Sequence, residues 1–133
     1  MYTMKQACEM TGMNYEALKF YCNSGLVPRV QRDSRNRRVF DDRNIAWIKS
    51  LSCLKRCGLS IAEMRRYTEL CLLGESSIPD RMQILAEKRE ELQHRMQDIQ
   101  DSIEYIDSKE RFFEGVLDGS ITYYSNVLTA DGD

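Results

Sequence analysis

The chain has 133 residues, of which 42% are hydrophobic and 30% are charged, and its formal net charge is −2. No apolar run approaches the roughly 20 residues of a transmembrane helix, and the first ten residues, MYTMKQACEM, lack the apolar centre of a secretory signal. We therefore expect a cytoplasmic protein with one domain, or a small domain plus an extension, whose five cysteines are reduced.

Charge is distributed unevenly along the chain. Residues 1–66 contain 13 Lys and Arg against 6 Asp and Glu, whereas residues 67–133 contain 6 against 15. The front half is therefore basic and the back half is acidic. This asymmetry indicates one part that faces nucleic acid, joined to a part that faces something else.

Two short helices are predicted at the start of the chain. Thr3 followed by Gln6 forms a capping-box pattern, and Gly12 can end this first helix. Asn14 is a good N-cap for the second helix, and Gly25 is a good residue to end it. Two short helices joined by a tight turn indicate a helix-turn-helix.

A basic loop follows the second helix. The thirteen residues QRDSRNRRVFDDR contain five arginines, namely Arg32, Arg35, Arg37, Arg38 and Arg43. Val27 and Val30 before the loop and Val39 and Phe40 after it predict two short strands, and Asn36 suits the turn because it tolerates a positive φ. A hairpin at this position, after a helix-turn-helix, is a wing.

Two further helices complete the front half. The pattern DDRNIAWIKSLSCLKRCG predicts a third helix with Asp41 as its N-cap and Gly58 as its end. Ser60 and Glu63 form another capping box, which begins a fourth helix that stops at Gly74.

The back half predicts one long helix, which has Ser77 as its N-cap and no break before Gly115. All heptad d positions and most a positions are apolar: Ile78, Leu85, Leu92, Ile99, Ile106 and Phe113 at d, and Met82, Met96 and Ile103 at a. This pattern is specific for a coiled coil. A helix of about 54 Å is too long to bury its stripe on the preceding domain, so we expect a second chain to cover it; the alternative is a helix folded back on its own domain. Arg89 and Glu110 at a positions favour an antiparallel pair.

The sequence thus predicts three parts: a DNA-binding domain over residues 1–75, a dimerisation helix over 76–115 and a short tail over 116–133. The expected dimer interface consists of Leu85, Leu92, Met96, Ile99, Ile103, Ile106 and Phe113. Apolar residues of the tail, Ile121, Tyr123, Tyr124, Val127 and Leu128, can pack on the partner's globular domain. The last five residues, TADGD, are expected to be disordered.

This order of elements, together with three motifs, resembles the MerR family of transcription regulators. The segment LKFYCNSGLV resembles the family's Leu-Arg-Tyr/Phe-Tyr…Gly-Leu segment, NRRVF its Asn-Gly-Tyr-Arg-x-Tyr wing, and LKRCGLSIAEM its Leu-x-x-x-Gly-Phe-Ser-Leu-x-Glu-Ile segment. The resemblance covers residues 2 to about 113. It implies a mainly α-helical fold, with a winged helix-turn-helix domain followed by a long antiparallel coiled-coil dimerisation helix.

The same resemblance implies which residues contact DNA. The expected set is Asn14, Tyr15, Lys19, Tyr21, Arg35, Arg37 and Arg38. Lys19 stands where the family usually has arginine, which keeps the charge and loses the bidentate phosphate contact. Glu16 either accepts a hydrogen bond from a cytosine amino group or is a helix N-terminal charge without DNA contact.

The family mechanism implies a homodimer on double-stranded promoter DNA. The dimer binds a palindrome within an overlong promoter spacer, and the effector changes the angle between the two DNA-binding heads. The DNA is then bent and undertwisted so that RNA polymerase can use the promoter. Such a deformation costs about 1–6 kcal/mol, and a cluster of arginines on a wing suits that task.

The chain resembles most the aldehyde- and thiol-stress-responsive branch of the family, which is described as AdhR/NmlR-like. That branch has a cysteine in the helix after the wing, and Cys53 falls on this position. Lys49, Lys55 and Arg56 lie near Cys53 in sequence, and neighbouring cations favour a reactive thiolate. An inert core thiol is the alternative, and the other four cysteines are expected to act as small hydrophobes in helices.

Other signals and other function classes remain as alternatives. No cysteine follows Cys71 and Ser77 stands where metal-sensing members have cysteine, so we expect no metal site of their design and no cofactor. A non-covalent small ligand, or a metal bound in another way, is an alternative inducer. A thiol enzyme that uses Cys53 and Cys57, or a coiled-coil adaptor, is an alternative function, but we expect a regulator without catalytic residues.

Overall fold

The computed structural model describes residues 1–128, so the TADGD segment lies outside the described residues. Its elements are α1 (Met4–Thr11), α2 (Tyr15–Asn23), β1 (Gln31–Arg32), β2 (Arg38–Val39), α3 (Asp42–Arg56), α4 (Ile61–Leu72), a 3-10 turn (Glu75–Ser77) and α5 (Ile78–Leu117). The prediction of a mainly helical fold with a wing and a long C-terminal helix is confirmed. No helix within residues 1–128 is both long enough and apolar enough to cross a bilayer.

The first four helices begin at the predicted N-caps. The side chain of Thr3 accepts a hydrogen bond from the backbone N–H of Gln6 at 3.1 Å, and Asn14 accepts one from the N–H of Ala17 at 2.8 Å. Asp41 and Ser60 cap α3 and α4 in the same way. These short polar side chains satisfy N–H groups that have no partner within the helix, so the start of each helix is visible in the sequence.

The wing is a two-stranded antiparallel hairpin in which Gln31 pairs with Val39 and Arg32 with Arg38. Asn36 lies in its turn with a φ of 60°, as predicted. The predicted first strand at Val27 and Val30 is wrong, because Val27 is buried in the hydrophobic core and the strand begins only at Gln31.

A contact from the N-terminus extends the hairpin. Tyr2 and Phe40 exchange two backbone hydrogen bonds, of 2.7 and 2.8 Å, and so form an isolated antiparallel bridge. The hydroxyl of Tyr2 also donates to a carboxylate oxygen of Asp42 at 2.7 Å. The wing is therefore attached to the start of α1 and the start of α3.

One hydrophobic core joins α1 to α4. Its fully buried side chains include Leu18, Leu26, Phe40, Ile48, Leu51 and Met64. The indole N–H of Trp47 donates to the carbonyl oxygen of Leu26 at 2.8 Å, which fixes α3 against the segment that follows α2. This core holds α2 and the wing on one rigid support.

The junction before α5 differs from the prediction that Ser77 caps the long helix. Ser77 is buried in the 3-10 turn, and its hydroxyl lies within hydrogen-bonding distance of the carbonyl oxygens of Leu70 and Gly74. Arg81 donates to the Ser77 hydroxyl at 3.0 Å and to the Gly74 carbonyl at 2.8 Å. Ser77 therefore satisfies the end of α4 rather than the start of α5.

The chain divides into two compact units, the first of which comprises residues 1–90. Within this unit the ammonium of Lys88 on α5 lies 2.8 Å from a carboxylate oxygen of Glu63 on α4. Hydrogen bonding by Lys88, supported by the N–H of Ser60, holds the pKa of Glu63 below its ordinary value. This pair attaches the first turns of α5 to α4.

The second unit begins at Glu91 and contains the end of α5 and the start of the tail. The helix runs two residues past Gly115, where the sequence placed its end. After Gly119, which has a φ of 86°, the chain folds back and the N–H of Ile121 donates to the Gly115 carbonyl at 3.0 Å. This turn brings the rings of Phe112 and Tyr124 into contact, with their centroids 4.8 Å apart.

Candidate DNA-binding surface

A groove of about 450 Å³ lies between the start of α1, the start of α2 and the wing. We call it the wing groove, and its lining consists of Thr3, Met4, Lys5, Tyr15, Arg32, Asp33, Asn36, Arg37, Arg38 and Val39. Four of these residues are basic and one is acidic. A concave basic surface that combines a helix start with a hairpin has the charge and the shape to hold a phosphate backbone.

The α2 side of the wing groove presents an aromatic ring and a cation. Tyr15 is 53% exposed, and the ammonium of Lys19 lies 5.9 Å from the centre of its ring. This cation–π distance is within the usual limit and keeps the charge of Lys19 close to the groove. Asn14 does not line the groove, and its side-chain oxygen caps α2.

Tyr21 is placed differently from the other predicted contact residues. Only 2% of the residue is exposed, and no group within residues 1–128 forms a hydrogen bond with its buried hydroxyl. Burial raises the pKa of Tyr21, so the phenol keeps its proton and can donate. A buried O–H without an acceptor costs about 1–3 kcal/mol, and an incoming acceptor would recover part of this cost.

Arg38 is held in position by the preceding helix. Its guanidinium donates to the side-chain oxygen of Asn23 at the end of α2, with an Nη2–Oδ1 distance of 2.6 Å. The residue is half-buried, so its planar group has little rotational freedom. Its neighbour across the hairpin, Arg32, donates to the backbone carbonyl of Asn36 at 2.9 Å. The two guanidiniums therefore share one side of the wing groove.

Asp33 organises the tip of the wing. Its Oδ1 atom accepts the backbone N–H groups of Arg35 and Arg37, both at 2.9 Å, and its Oδ2 atom lies 3.2 Å from the guanidinium of Arg37. The Arg37 N–H first, and then the Arg35 N–H and the Arg37 charge, lower the pKa of Asp33. Arg37 lines the groove with part of its charge already paired, whereas Arg35 is exposed outside it.

Two cations of this surface, Lys5 and Arg32, were not among the DNA contacts predicted from the sequence. Lys5 lines the wing groove and is the first basic residue of the chain, placed in the first turn of α1 by the Thr3 cap. Arg32 was not in the expected set of DNA contacts, but the hairpin register places it directly opposite Arg38. The correct register would have revealed Arg32, since residues that pair across a hairpin share a face.

The cysteines are all free in the structure. Cys53 is exposed on α3, which contradicts the alternative that it is a core thiol, whereas Cys8, Cys22, Cys57 and Cys71 are half-buried. No group of three His, Cys, Asp or Glu side chains in the described part of the chain could hold a metal ion.

The apolar stripe of α5 is uncovered in the single chain. The exposed fractions are 41% for Leu85, 72% for Met96, 61% for Ile99, 46% for Ile103, 55% for Ile106 and 52% for Phe113, while Leu92 is half-buried. A continuous row of large apolar side chains at this exposure marks an interaction surface.

The sequence matches two family models. The first, described as "MerR HTH family regulatory protein", matches residues 2–70 and so spans α1 to α4. The second, described as "MerR, DNA binding", matches residues 45–108 and so runs from α3 into α5.

Individual proteins show the same similarity. An HTH-type transcriptional regulator of Bacillus subtilis, AdhR, is 33% identical over 87 residues, which cover 65% of this chain and 62% of AdhR. An uncharacterised HTH-type regulator of Haemophilus influenzae is 27% identical over 113 residues, which cover 85% of this chain and 84% of that protein.

Solved structures agree with these matches. HiNmlR, a MerR family regulator lacking the sensor domain and bound to promoter DNA, superimposes with a TM-score of 0.71 at 27% identity over 86% of this chain and 91% of that one. A regulator from Listeria monocytogenes gives a TM-score of 0.77 at 27% identity, over 90% of this chain and 91% of that one.

Proposed function

Because this chain belongs to the MerR family of DNA-binding transcription regulators, we propose that two copies bind one promoter through their wing grooves. The regulator is not an enzyme. The observation that carries the proposal is the convergence of Lys5, Arg32, Arg37 and Arg38 on one groove beside the exposed face of α2. The negatively charged backbone of promoter DNA is complementary to this basic surface. We propose that the regulator acts in the cytoplasm.

In the proposed complex the two sides of the groove have different tasks. Arg38 and Arg32 are held by hydrogen bonds within the wing and at the end of α2, so they meet a phosphate without losing much rotational freedom. Tyr15 and Lys19 lie on the exposed face of α2, which is the face that would approach the major groove. Tyr21 supports the proposal because its buried hydroxyl has no hydrogen-bond acceptor in the described part of the chain. A phosphate oxygen of the DNA would be such an acceptor.

The dimer is proposed to form through the apolar stripe of α5. An antiparallel register that places Met96 opposite Ile99 of the other chain also pairs Met82 with Phe113. Arg89 then lies opposite Ile106 of the other chain, one helical turn from Glu110. Each buried aliphatic or aromatic side chain contributes about 1.5–3 kcal/mol, so covering this row stabilises the pair strongly.

Adjacent residues of α5 provide a matched test of the dimer. Ile106 at a d position is 55% exposed in the single chain, and Tyr105 at a c position is 63% exposed. Ile106→Asp should give a monomer in sedimentation experiments and lose DNA binding, whereas Tyr105→Asp should remain a dimer. Equal behaviour of the two variants would contradict this interface.

For the signal, we propose a covalent electrophile that acts at Cys53. The thiol adds across an aldehyde carbonyl: sulfur bonds to the carbon and the thiol proton ends on the oxygen, which gives a hemithioacetal. Two observations support this proposal, namely the exposure of Cys53 on α3 and the similarity of the chain to AdhR and HiNmlR. The adduct would change the angle between the two heads, bend and undertwist the promoter, and let RNA polymerase engage it.

The signal proposal is tested by comparing two thiols one helical turn apart. Transcription from the bound promoter should rise with formaldehyde in the wild type and in Cys57→Ser, but not in Cys53→Ser. All three proteins should bind DNA equally without formaldehyde. Unchanged induction in Cys53→Ser would refute the thiol mechanism and would favour a non-covalent ligand.

A further inference from the structure

We propose that Cys8 of α1 and Cys22 of α2 form a reversible disulfide, which weakens DNA binding under oxidising conditions. The oxidant is a low-molecular-weight disulfide such as oxidised glutathione. Both thiols are free in the structure, which is therefore the reduced form. The effect on DNA rests on the wing groove proposed above, whereas the formation of the bond does not.

The two cysteines lie on the packed sides of two helices that contact each other. Cys8 follows Met4 by one turn on α1, and Cys22 follows Leu18 by one turn on α2. Residues four apart share a face of a helix, and all four side chains belong to the hydrophobic core or pack against it. Facing Cα atoms of two packed helices approach to about 5 Å, and a disulfide needs a Cα separation of about 4.4–6.8 Å. A disulfide can therefore join these helices without pushing them apart.

The two thiols are also close enough for their charges to interact. Burial raises the pKa of Cys22 above its ordinary value, whereas the guanidiniums of Arg38 and Arg32 lower it. The Cys8 thiol adds a further upward contribution to the pKa of Cys22. Burial, and then the charge of Glu9, raise the pKa of Cys8. Cys22 is thus the thiol with cations beside it, and it makes the first attack because neighbouring cations favour the thiolate.

The reaction is a thiol–disulfide exchange in two steps. The Cys22 thiolate attacks one sulfur of oxidised glutathione, which forms a mixed disulfide and releases one glutathione thiolate. The Cys8 thiolate then attacks the Cys22 sulfur and releases the second glutathione. The protein loses two thiol protons and two electrons, and the small disulfide is reduced to two thiols. In a reducing cytoplasm such a bond is transient, which suits a sensor of oxidation.

The bond acts on the wing groove through the end of α2. Asn23 follows Cys22 directly, and its side-chain oxygen holds the guanidinium of Arg38 at 2.6 Å. Arg32 pairs with Arg38 across the hairpin and is the second guanidinium near the Cys22 thiol. Drawing the Cys22 sulfur towards α1 alters the support of both groove cations. We expect oxidation to weaken operator binding about tenfold.

Peptide mapping of the full-length protein tests the bond itself. Trypsin cleaves between the two thiols, so that Cys8 lies in the peptide of residues 6–19 and Cys22 in the peptide of residues 20–29. Neither peptide contains another cysteine. After treatment with oxidised glutathione and blocking of the remaining thiols, mass spectrometry should find these two peptides joined. Absence of the joined peptide, in a sample whose exposed Cys53 already carries glutathione, would overturn the proposal.

Anisotropy titrations with a labelled operator duplex test the coupling to DNA. Oxidised wild type and oxidised Cys53→Ser should bind about tenfold more weakly than the reduced proteins, and dithiothreitol should restore the affinity. Cys8→Ala and Cys22→Ser should bind equally well before and after oxidation.

Three outcomes separate the parts of the proposal. Joined peptides with unchanged affinity would overturn the coupling to DNA. A loss of affinity in oxidised Cys8→Ala would show that an adduct on Cys22 suffices, and would overturn the role of the disulfide. A reduced wild type that does not bind DNA would overturn the wing groove, while the peptide map still decides whether the disulfide forms.

Discussion

The buried hydroxyl of Tyr21 provides a prediction in which stability and DNA binding change in opposite directions. Tyr21→Phe removes one oxygen that is shielded from solvent and has no hydrogen-bond partner within residues 1–128. Because an unsatisfied buried polar group costs about 1–3 kcal/mol, the free energy of unfolding should rise by about 1 kcal/mol. If the hydroxyl donates to a phosphate on DNA, the same change should weaken binding about fivefold to tenfold.

Urea unfolding and fluorescence anisotropy with a labelled operator duplex measure the two effects. Tyr2→Phe is the matched control, because its hydroxyl donates to Asp42 at 2.7 Å. Removing that oxygen breaks an existing hydrogen bond, so Tyr2→Phe should lower stability, whereas Tyr21→Phe should raise it. A Tyr21→Phe protein that is less stable than the wild type and binds DNA normally would contradict both expected effects of the buried hydroxyl.

Three further predictions concern the wing and the start of α5. Arg38→Ala should lower the salt dependence of operator binding. The slope of log K against log[salt] should become smaller by about 1.8, because two phosphate contacts are lost per dimer. Arg66→Ala is the control and should leave the slope unchanged, since Arg66 is an exposed residue of α4 outside the groove. Asp33→Ala should weaken DNA binding although it removes a negative charge, because three hydrogen bonds that order the wing tip are lost; tighter binding in anisotropy titrations would show that charge alone matters. Lys88→Met should lower stability by about 0.5 kcal/mol at pH 7, discounted because Glu63 is 42% exposed. Since Lys88 lowers the folded-state pKa of Glu63, this contribution is complete above the unfolded pKa of about 4.3 and disappears as the pH falls through the folded pKa, so thermal melts of the two proteins should converge in acid.

The helices were predictable because their ends are determined by local chemistry. Thr3, Asn14, Asp41 and Ser60 each bond an N–H group three residues ahead, and this pattern is legible in a single sequence. The turn at Asn36 was predictable for the same reason, since few residues other than glycine tolerate its φ of 60°.

Features that depend on distant residues were not predictable. A two-residue strand is too short to show the alternation of apolar and polar residues that identifies a strand. The first strand was therefore predicted at Val27 and Val30 rather than at Gln31. The bridge from Tyr2 to Phe40 joins positions far apart in the chain. Serine is a common N-cap residue, so Ser77 was predicted to cap α5. Its hydroxyl is instead buried beneath Arg81, in the turn that follows α4.

The surface itself was only partly predictable. Motif resemblance identified Tyr15, Lys19, Arg37 and Arg38, all of which lie in or beside the wing groove. It gave no indication of Lys5, because α1 approaches the wing only in three dimensions. It also could not show that Asp33 pairs with Arg37, since the contact depends on the rotamers of a tight loop.

Two copies of this chain are proposed to bind one palindromic DNA site. Selection from a random duplex pool with the purified protein, followed by the mass of the recovered complex, tests the symmetry of the site and the number of bound chains together. We predict an inverted repeat bound by two chains, with enrichment lost in Ile106→Asp and retained in Tyr105→Asp. A site without two-fold symmetry, one chain per duplex, or no enrichment at low salt would contradict it.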